Sequence, residues 1–459
     1  MNSAPSALDH SLAGSGTGFV RQTNTCNARI CAYHGEWPPR CSEGELTMIE
    51  TEDRYIGRQV ATLRNRRGMT QQVLADLLGI SRSQLAKYES GLQPLDSRKM
   101  LYAIAEALQV SIADLTGHAE DKHLSSASVF HAAVPRIEAA LLSAGHVDDV
   151  RAPATVAVLA QTADLALDLR MAGDLSKLGS LLPDLITDCY RRTVDGPEPD
   201  RNVAWSALAR AAFATALASK GLGYTSLAWN AARVTAEAAG IIGDKVALAA
   251  SEFVSSQVLL AMPGSLPAAL GRIQAATDRM QTDLSGTPEG LQLYGMLNLQ
   301  GALTSAALGR DSADHLAEAR ETASRTGESD ESAFRLDFGP SNAAIWGMSV
   351  ALEEGRGGAA VALATEVDPT AIGTAERQAR FFIEQGRGHA MEGQYAEAMA
   401  ALLRAETIAP QYVRSRVVVR ELVGYMLRKA RRDLTAGELG KLAQRVGAIP
   451  APAGLSHLS

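Results

Sequence analysis

Aromatic residues are scarce in this chain, 5% of 459, and cysteine occurs only 4 times. A chain so poor in aromatics and so rich in alanine favours closely packed helices over sheets. No apolar run approaches the roughly 20 residues of a membrane span, and no leader with a long apolar core opens the sequence. The protein is therefore expected in the cytoplasm, with no membrane partner. Positive charge is short too. The formal net charge is −7, so the chain taken whole does not look like a nucleic-acid binder. Catalytic patterns are missing as well: there is no Gly-rich phosphate loop, no HExxH and no GxSxG after a strand. His131, His146, His315 and His389 stand singly, so neither an enzyme nor a cofactor is expected. Cys26, Cys31 and Cys41 lie with His34 in an opening stretch rich in Ser, Gly, Thr, Asn and Pro. Their spacing is not that of paired CxxC ligands and no second pair follows, so no metal is expected. Residues 1–50 read as a disordered extension, with Met48 a candidate start just before the first periodic segment. Cys189 sits in an apolar helical segment and reads as a buried thiol.

What the chain does contain is concentrated in residues 70–91, TQQVLADLLGISRSQLAKYESG. Thr70 is a good N-cap for a helix over 71–78, because its hydroxyl takes an otherwise unpaired N–H of the first turn. Val73, Leu74, Leu77 and Leu78 are expected on one apolar face. Gly79 supplies the left-handed residue that ends the helix, Ile80 plugs the corner, and Ser81 caps a second helix over 82–89. There Leu85, Ala86 and Tyr88 turn inward, while Arg82, Ser83, Gln84 and Lys87 turn out. Such a polar face at a helix N-terminus suits the reading of base edges in a major groove. Charge is locally reversed: residues 54–93 hold 7 basic residues against 2 acidic ones, a balance of +5. A preceding helix over 55–67 carries Ile56, Val60 and Leu63 at helical spacing, ends at Gly68, and clusters Arg64, Arg66 and Arg67 at its C-terminal end, where phosphate contact is expected. Glu89 reads as structural, paired with an arginine such as Arg58. Asp96 is expected to cap a further helix over 97–108, with Met100, Leu101, Ile104, Ala105 and Leu108 inward; Ile112, Leu115 and Gly117 close the unit.

These residues, above all Thr70-Gln71, Leu74-Ala75, Leu78-Gly79-Ile80-Ser81, Ser83, Lys87-Tyr88-Glu89 and Gly91, resemble the helix-turn-helix of the Cro/phage-repressor (XRE) transcription factors. The resemblance implies a five-helix, lambda-repressor-like DNA-binding domain over 51–117. It implies DNA contacts from Gln71 to the backbone and from Ser81, Arg82, Ser83, Gln84 and Lys87 at the recognition helix.

A polar linker, 118–128, leads to a helical and repetitive region, 129–449, followed by a flexible tail, 450–459. Glycines at 173, 221, 264, 309, 355 and 393 recur in steps of 48, 43, 45, 46 and 38 residues. That is the period of stacked helical hairpins. Six hairpins are expected, closed by a pair over 417–446. In residues 382–410, Phe382, Gly386, Gly393, Tyr395, Ala398, Leu402, Ala405 and Pro410 match the tetratricopeptide (TPR) pattern of small, aromatic and proline positions. The whole is similar to XRE–TPR regulators of high-GC Gram-positive bacteria, with residues 338–342 (FGPSN) and 413–427 typical of that group. It is more distantly similar to peptide-pheromone receptors.

The reading is thus an all-α protein: the DNA-binding domain, then a right-handed TPR-like α-solenoid. The resemblance implies a homodimer on a palindromic double-stranded operator, with a peptide or small-molecule effector in the concave groove. Asn298, Asn342, Trp346, Arg380 and Arg387 lie on first helices of hairpins and are candidate ligand contacts. Side-chain amides suit a peptide backbone and arginines a carboxylate. A solenoid that binds a partner protein, as a scaffold or antitoxin, is the alternative.

Overall fold

The computed structural model describes residues 56–116, 125–143, 152–262, 264–283, 287–328, 334–414, 416–429 and 437–448. The opening extension with Cys26, His34, Cys31, Cys41 and Met48, most of the linker with Gly117, and the tail 450–459 lie outside the described residues. Those that are described are helical throughout, without a strand. No helix among them is long and apolar enough to cross a membrane.

The first five helices are α1 (Ile56–Arg66), α2 (Gln71–Leu78), α3 (Arg82–Glu89), α4 (Arg98–Ala107) and α5 (Ile112–Thr116). Their ends follow the caps read from sequence. The Thr70 hydroxyl accepts the Val73 N–H at 3.2 Å, Gly79 turns left-handed at φ 65°, and the Ser81 hydroxyl accepts the Gln84 N–H at 3.1 Å. Ile56, Val60, Leu63, Leu74, Leu85, Ile104, Leu108 and Leu115 meet in one core. Two expectations fail here. Val73 and Leu77 are 46% and 60% exposed, because a helix of 8 residues turns only one stripe, Leu74 and Ala75, fully to the core. Asp96 does not cap α4: the Ser97 hydroxyl does, accepting the Met100 N–H.

The next helix, α6 (Ser125–Ser143), starts inside the stretch read as linker and packs on α8 (Leu175–Asp195), which pairs with α7 (Val156–Met171). Antiparallel pairs continue with α9 (Glu198–Gly221) and α10 (Thr225–Ile242), α11 (Lys245–Leu259) and α12 (Leu266–Asp283), and α13 (Pro288–Ala307) and α14 (Ala313–Thr326). Then come α15 (Pro340–Glu353) with α16 (Gly357–Thr365), and α17 (Ala375–Met391) with α18 (Tyr395–Ile408). A short α19 (Pro410–Arg414) precedes the closing pair, α20 (Val417–Lys429) and α21 (Glu438–Arg445). Five of the six glycines read as turns do turn left-handed between paired helices. The exception is Gly221, the last residue of α9; Gly223, at φ 85°, makes that turn.

Alanine lets these helices approach closely: Ala207, Ala211, Ala214, Ala228, Ala231 and Ala232 are buried between α9 and α10. The same economy sets Gly386 against Leu402 and the Ala398 carbonyl across the α17–α18 pair. Gly295 is bare because the ring of Phe338 fills the space a Cβ would take. That contact explains Phe338 in the 338–342 segment. One apolar cluster runs from α6 to α15 and a second from α15 to α21. Cys189 is buried in the first, and burial pushes its thiol up.

Candidate functional site

The five-helix head presents one face outward. Ser81, Arg82, Ser83 and Lys87 of α3 and its cap are exposed, while Leu85 and Glu89 are buried. Gln84 is half-buried, and its Nε2 donates to Gln93 Oε1 at 2.6 Å, which fixes the amide's orientation. Arg66, the last residue of α1, and Arg67 just after it are exposed, the Arg67 guanidinium donating to the Gln109 carbonyl at 3.1 Å.

Arg64, expected at phosphate, instead points inward. Its Nε and Nη2 donate to the two Glu89 oxygens at 2.6 and 2.9 Å, and Nη1 donates to Asn65 Oδ1 and the Met69 carbonyl. Hydrogen bonding to Glu89 holds the Arg64 guanidinium above its ordinary value, against desolvation. Gln71 Nε2 also donates to Glu89 Oε2, at 2.8 Å. One buried carboxylate thus ties α1, the start of α2 and α3 together. Glu89 is structural, as read from sequence, but its partner is Arg64 rather than Arg58.

Residues 56–117 match the family model for a helix-turn-helix domain. A helix-turn-helix domain is a DNA-binding module, with α3 in the place of its second helix. The matched span is a small part of the chain and says nothing of the hairpins. No curated protein and no solved structure matches.

Other residues of the helix-turn-helix domain rest on the hairpins. The Ile56 N–H, at the start of α1, donates to Glu421 Oε1 at 3.0 Å. Glu353 Oε1 accepts from the Ser97 hydroxyl at 3.0 Å and the Lys99 N–H at 2.9 Å, at the N-terminus of α4 where a carboxylate is favoured. Arg420 donates to the Thr116 carbonyl at 2.7 Å and Arg428 to that of Gly91 at 2.8 Å. Arg387 pairs with Asp96 at 3.6 Å and with Glu384 at 2.6 Å. Tyr102, with Leu101 and Ile112 beside it, packs on Leu260, Leu266 and Ala307, and its hydroxyl donates to the Leu260 carbonyl.

Between that docked side and the hairpins lies a chamber of about 520 Å³. Ile56, Asp96, Arg98 and Tyr102 close it from the helix-turn-helix domain. Phe253, Met296, Leu303, Trp346 and Ile383 give it apolar wall, and Arg170, Lys220, Arg335, Arg377, Arg380 and Arg416 also line it. Its floor includes the segment before α15, where Arg335 and Asp337 hold φ of 49° and 45°, a conformation that costs a non-glycine residue about 1–3 kcal/mol. Arginines hold that segment. Arg170 donates to the Arg335 carbonyl at 2.8 Å, and Arg377 to the carbonyls of Leu336 and Asp337.

The candidate ligand residues divide. Asn342, Trp346, Arg380 and Arg387 line the chamber. Asn298 does not: it is buried in α13, its amide satisfied by the Tyr294 carbonyl at 3.1 Å and its oxygen by His315 Nδ1 at 2.9 Å. Asn342 Nδ2 donates to Met296 Sδ, and Gly339 is the cap residue of α15. Arg387 is buried among Glu384 and Asp96, whose charges overcome the cost of burial and hold its guanidinium well above its ordinary value. Sequence reading missed Arg98, Arg170, Lys220, Arg377 and Arg416. One signal was present: Arg377, Arg380, Glu384 and Arg387 recur at helical spacing on α17, a charged stripe on the side that faces the chamber.

Proposed function

We propose that the protein is a sequence-specific transcriptional regulator of the XRE type, binding double-stranded DNA as a homodimer, with hairpins that form a TPR-like solenoid and hold an effector. The observation that carries the reading is the outward polar face of α3 in a domain matching helix-turn-helix. In this reading Ser81, Arg82, Ser83, Gln84 and Lys87 read base edges, and Gln71, Arg66 and Arg67 contact phosphates. Arg64 is left out, its guanidinium being committed to Glu89. One such module buries little surface on DNA, so useful specificity calls for two on a palindrome, with half-sites a whole number of helical turns apart. The effector site is the chamber, with Asn342, Trp346, Arg380 and Arg387 as contacts; Asn298 is satisfied within its own hairpin. A ligand there touches both the helix-turn-helix domain and the solenoid, so it favours the docked arrangement over others. The test is genome-wide mapping of occupied sites, followed by titration of a mapped site and of random DNA. Recurrence of one palindromic sequence, bound far more tightly than random DNA, supports the reading. Equal affinity for both refutes it.

A further inference from the structure

The chamber has an unbalanced charge. Arg98, Arg170, Lys220, Arg335, Arg377, Arg380, Arg387 and Arg416 line it against Asp96, Glu376, Glu384 and Glu421. Five of the cations have carboxylates at ion-pair distance: Arg98 with Glu353, Arg335 with Asp168, Arg377 with Asp337, Arg387 with Glu384, and Arg416 with Glu376. Three have none. Lys220 donates only to the neutral Gln257 amide at 2.6 Å, Arg170 to a backbone carbonyl, and Arg380 to the Ser349 hydroxyl while lying over the Trp346 ring at 4.7 Å. Lys220 is half-buried, and the charged groups nearest it are like charges. Burial first, then Arg98, Arg416 and Arg380, push its ammonium down to about 7. Cations gathered in a half-open, partly apolar space repel one another and lose part of their hydration unless an anion joins them. Clusters of this kind mark binding sites more than they stabilise a fold.

We propose that this chamber binds a small organic anion with at least two negative charges, of the phosphate-ester class, held by Lys220 and Arg380 from the hairpins and by Arg98 from the helix-turn-helix domain. The inference rests on the reading of the chamber as effector site and names the ligand's chemistry. The volume lies in the range of small-molecule pockets. An extended peptide along the groove would have to displace the docked helix-turn-helix domain; a compact anion does not. The apolar wall of Phe253, Met296 and Leu303 suits the organic body of such a ligand, and the guanidinium groups suit its phosphate oxygens.

Calorimetry on the full chain tests this with inorganic pyrophosphate, ATP, adenosine and an acidic tripeptide as probes. The expected result is saturable binding of pyrophosphate or ATP and none of adenosine. Lys220→Gln and Arg380→Gln should each weaken it at least about tenfold, the loss of one charge-assisted contact. Binding above pH 7 should also take up a proton, because the anion recharges Lys220, and buffers of different ionisation heat should register it. That uptake should vanish in Lys220→Gln, while thermal unfolding of the variant shows the fold kept. No heat from either phosphate probe, binding that both variants leave unchanged, or binding of the tripeptide alone would overturn the proposal. Phosphate binding that left DNA affinity untouched would support the anion site and remove its effector role, so the two readings fail separately.

Discussion

Replacing Arg64 by methionine separates a structural arginine from those proposed to contact phosphate. The Arg64 and Glu89 side chains are only 9% and 6% exposed, and the guanidinium fork meets both carboxylate oxygens. Removing the cation takes the Arg64 guanidinium from the buried Glu89 carboxylate, a loss of about 3–5 kcal/mol for a buried pair broken on one side. That is a large share of a domain's usual stability, about 5–15 kcal/mol. Changing both partners, Arg64→Met with Glu89→Leu, removes charge from both sides and should recover much of the loss. Arg66→Ala is the control: exposed, it should shift stability by less than about 0.5 kcal/mol, yet weaken binding to every DNA sequence and lower the salt slope by about 1. A chain of this size does not unfold in one step. The readout is therefore hydrogen exchange of amides in α1, α2 and α3, with a salt titration of DNA binding alongside. Exchange should quicken in Arg64→Met and not in Arg66→Ala. If Arg64→Met left exchange unchanged and lowered the salt slope as Arg66→Ala does, the assignment of Arg64 to Glu89 would be wrong.

Three further outcomes are expected. Arg82→Ala or Gln84→Ala should each cost about 1–3 kcal/mol at the mapped site and less on random DNA; equal losses on both would deny base reading by these residues. Burial pushes the Glu421 carboxyl from its ordinary 4.5 up to about 7. A raised carboxyl contributes stability that is whole below about pH 4.5 and fades as pH rises through about 7. Glu421→Gln, still able to accept the Ile56 N–H, should flatten the pH dependence of exchange at that amide; an unchanged profile rules Glu421 out as its source. Gly295→Ala sets a methyl into the Phe338 ring and should destabilise that contact by about 1–3 kcal/mol, read as faster hydrogen exchange in α13, and no change would mean that the contact between α13 and Phe338 gives way freely.

Local signals made the helix-turn-helix domain readable. Thr70, Gly79 and Ser81 act within 4 residues of chain, and each does what its chemistry dictates. The hairpin turns were readable for the same reason, since a left-handed glycine between two apolar periodic runs needs no knowledge of the rest of the fold. Where reading failed, the partner was distant in sequence. Arg64 and Glu89 are 25 residues apart, and nothing in the spacing chose Arg64 over Arg58. Asp96 was a plausible cap until Arg387, 291 residues on, gave it another partner. Asn298 looked available because His315, which satisfies it, lies on the next helix. Lys220 was invisible for a deeper reason: a lysine near a helix C-terminus normally complements the helix dipole in water, and only tertiary packing half-buries this one beside three arginines.

The docking contacts bear on how the two regions communicate. None of those at Ile56, Gly91, Asp96, Ser97, Lys99 and Thr116 involves Arg82, Ser83 or Lys87, which stay exposed. Docking therefore leaves the polar face of α3 open and fixes its direction relative to the hairpins. It follows that a signal in the chamber need not reshape the recognition helix. Adding charge between Arg98 and Lys220 changes the balance of one interface, and rigid α-hairpins carry any resulting rotation as a whole, because packed cores shift between arrangements rather than deform. In a dimer, the quantity such a rotation alters is the relation between two recognition helices. An effector would then act on the tolerated half-site spacing before it acts on the contacts within a half-site.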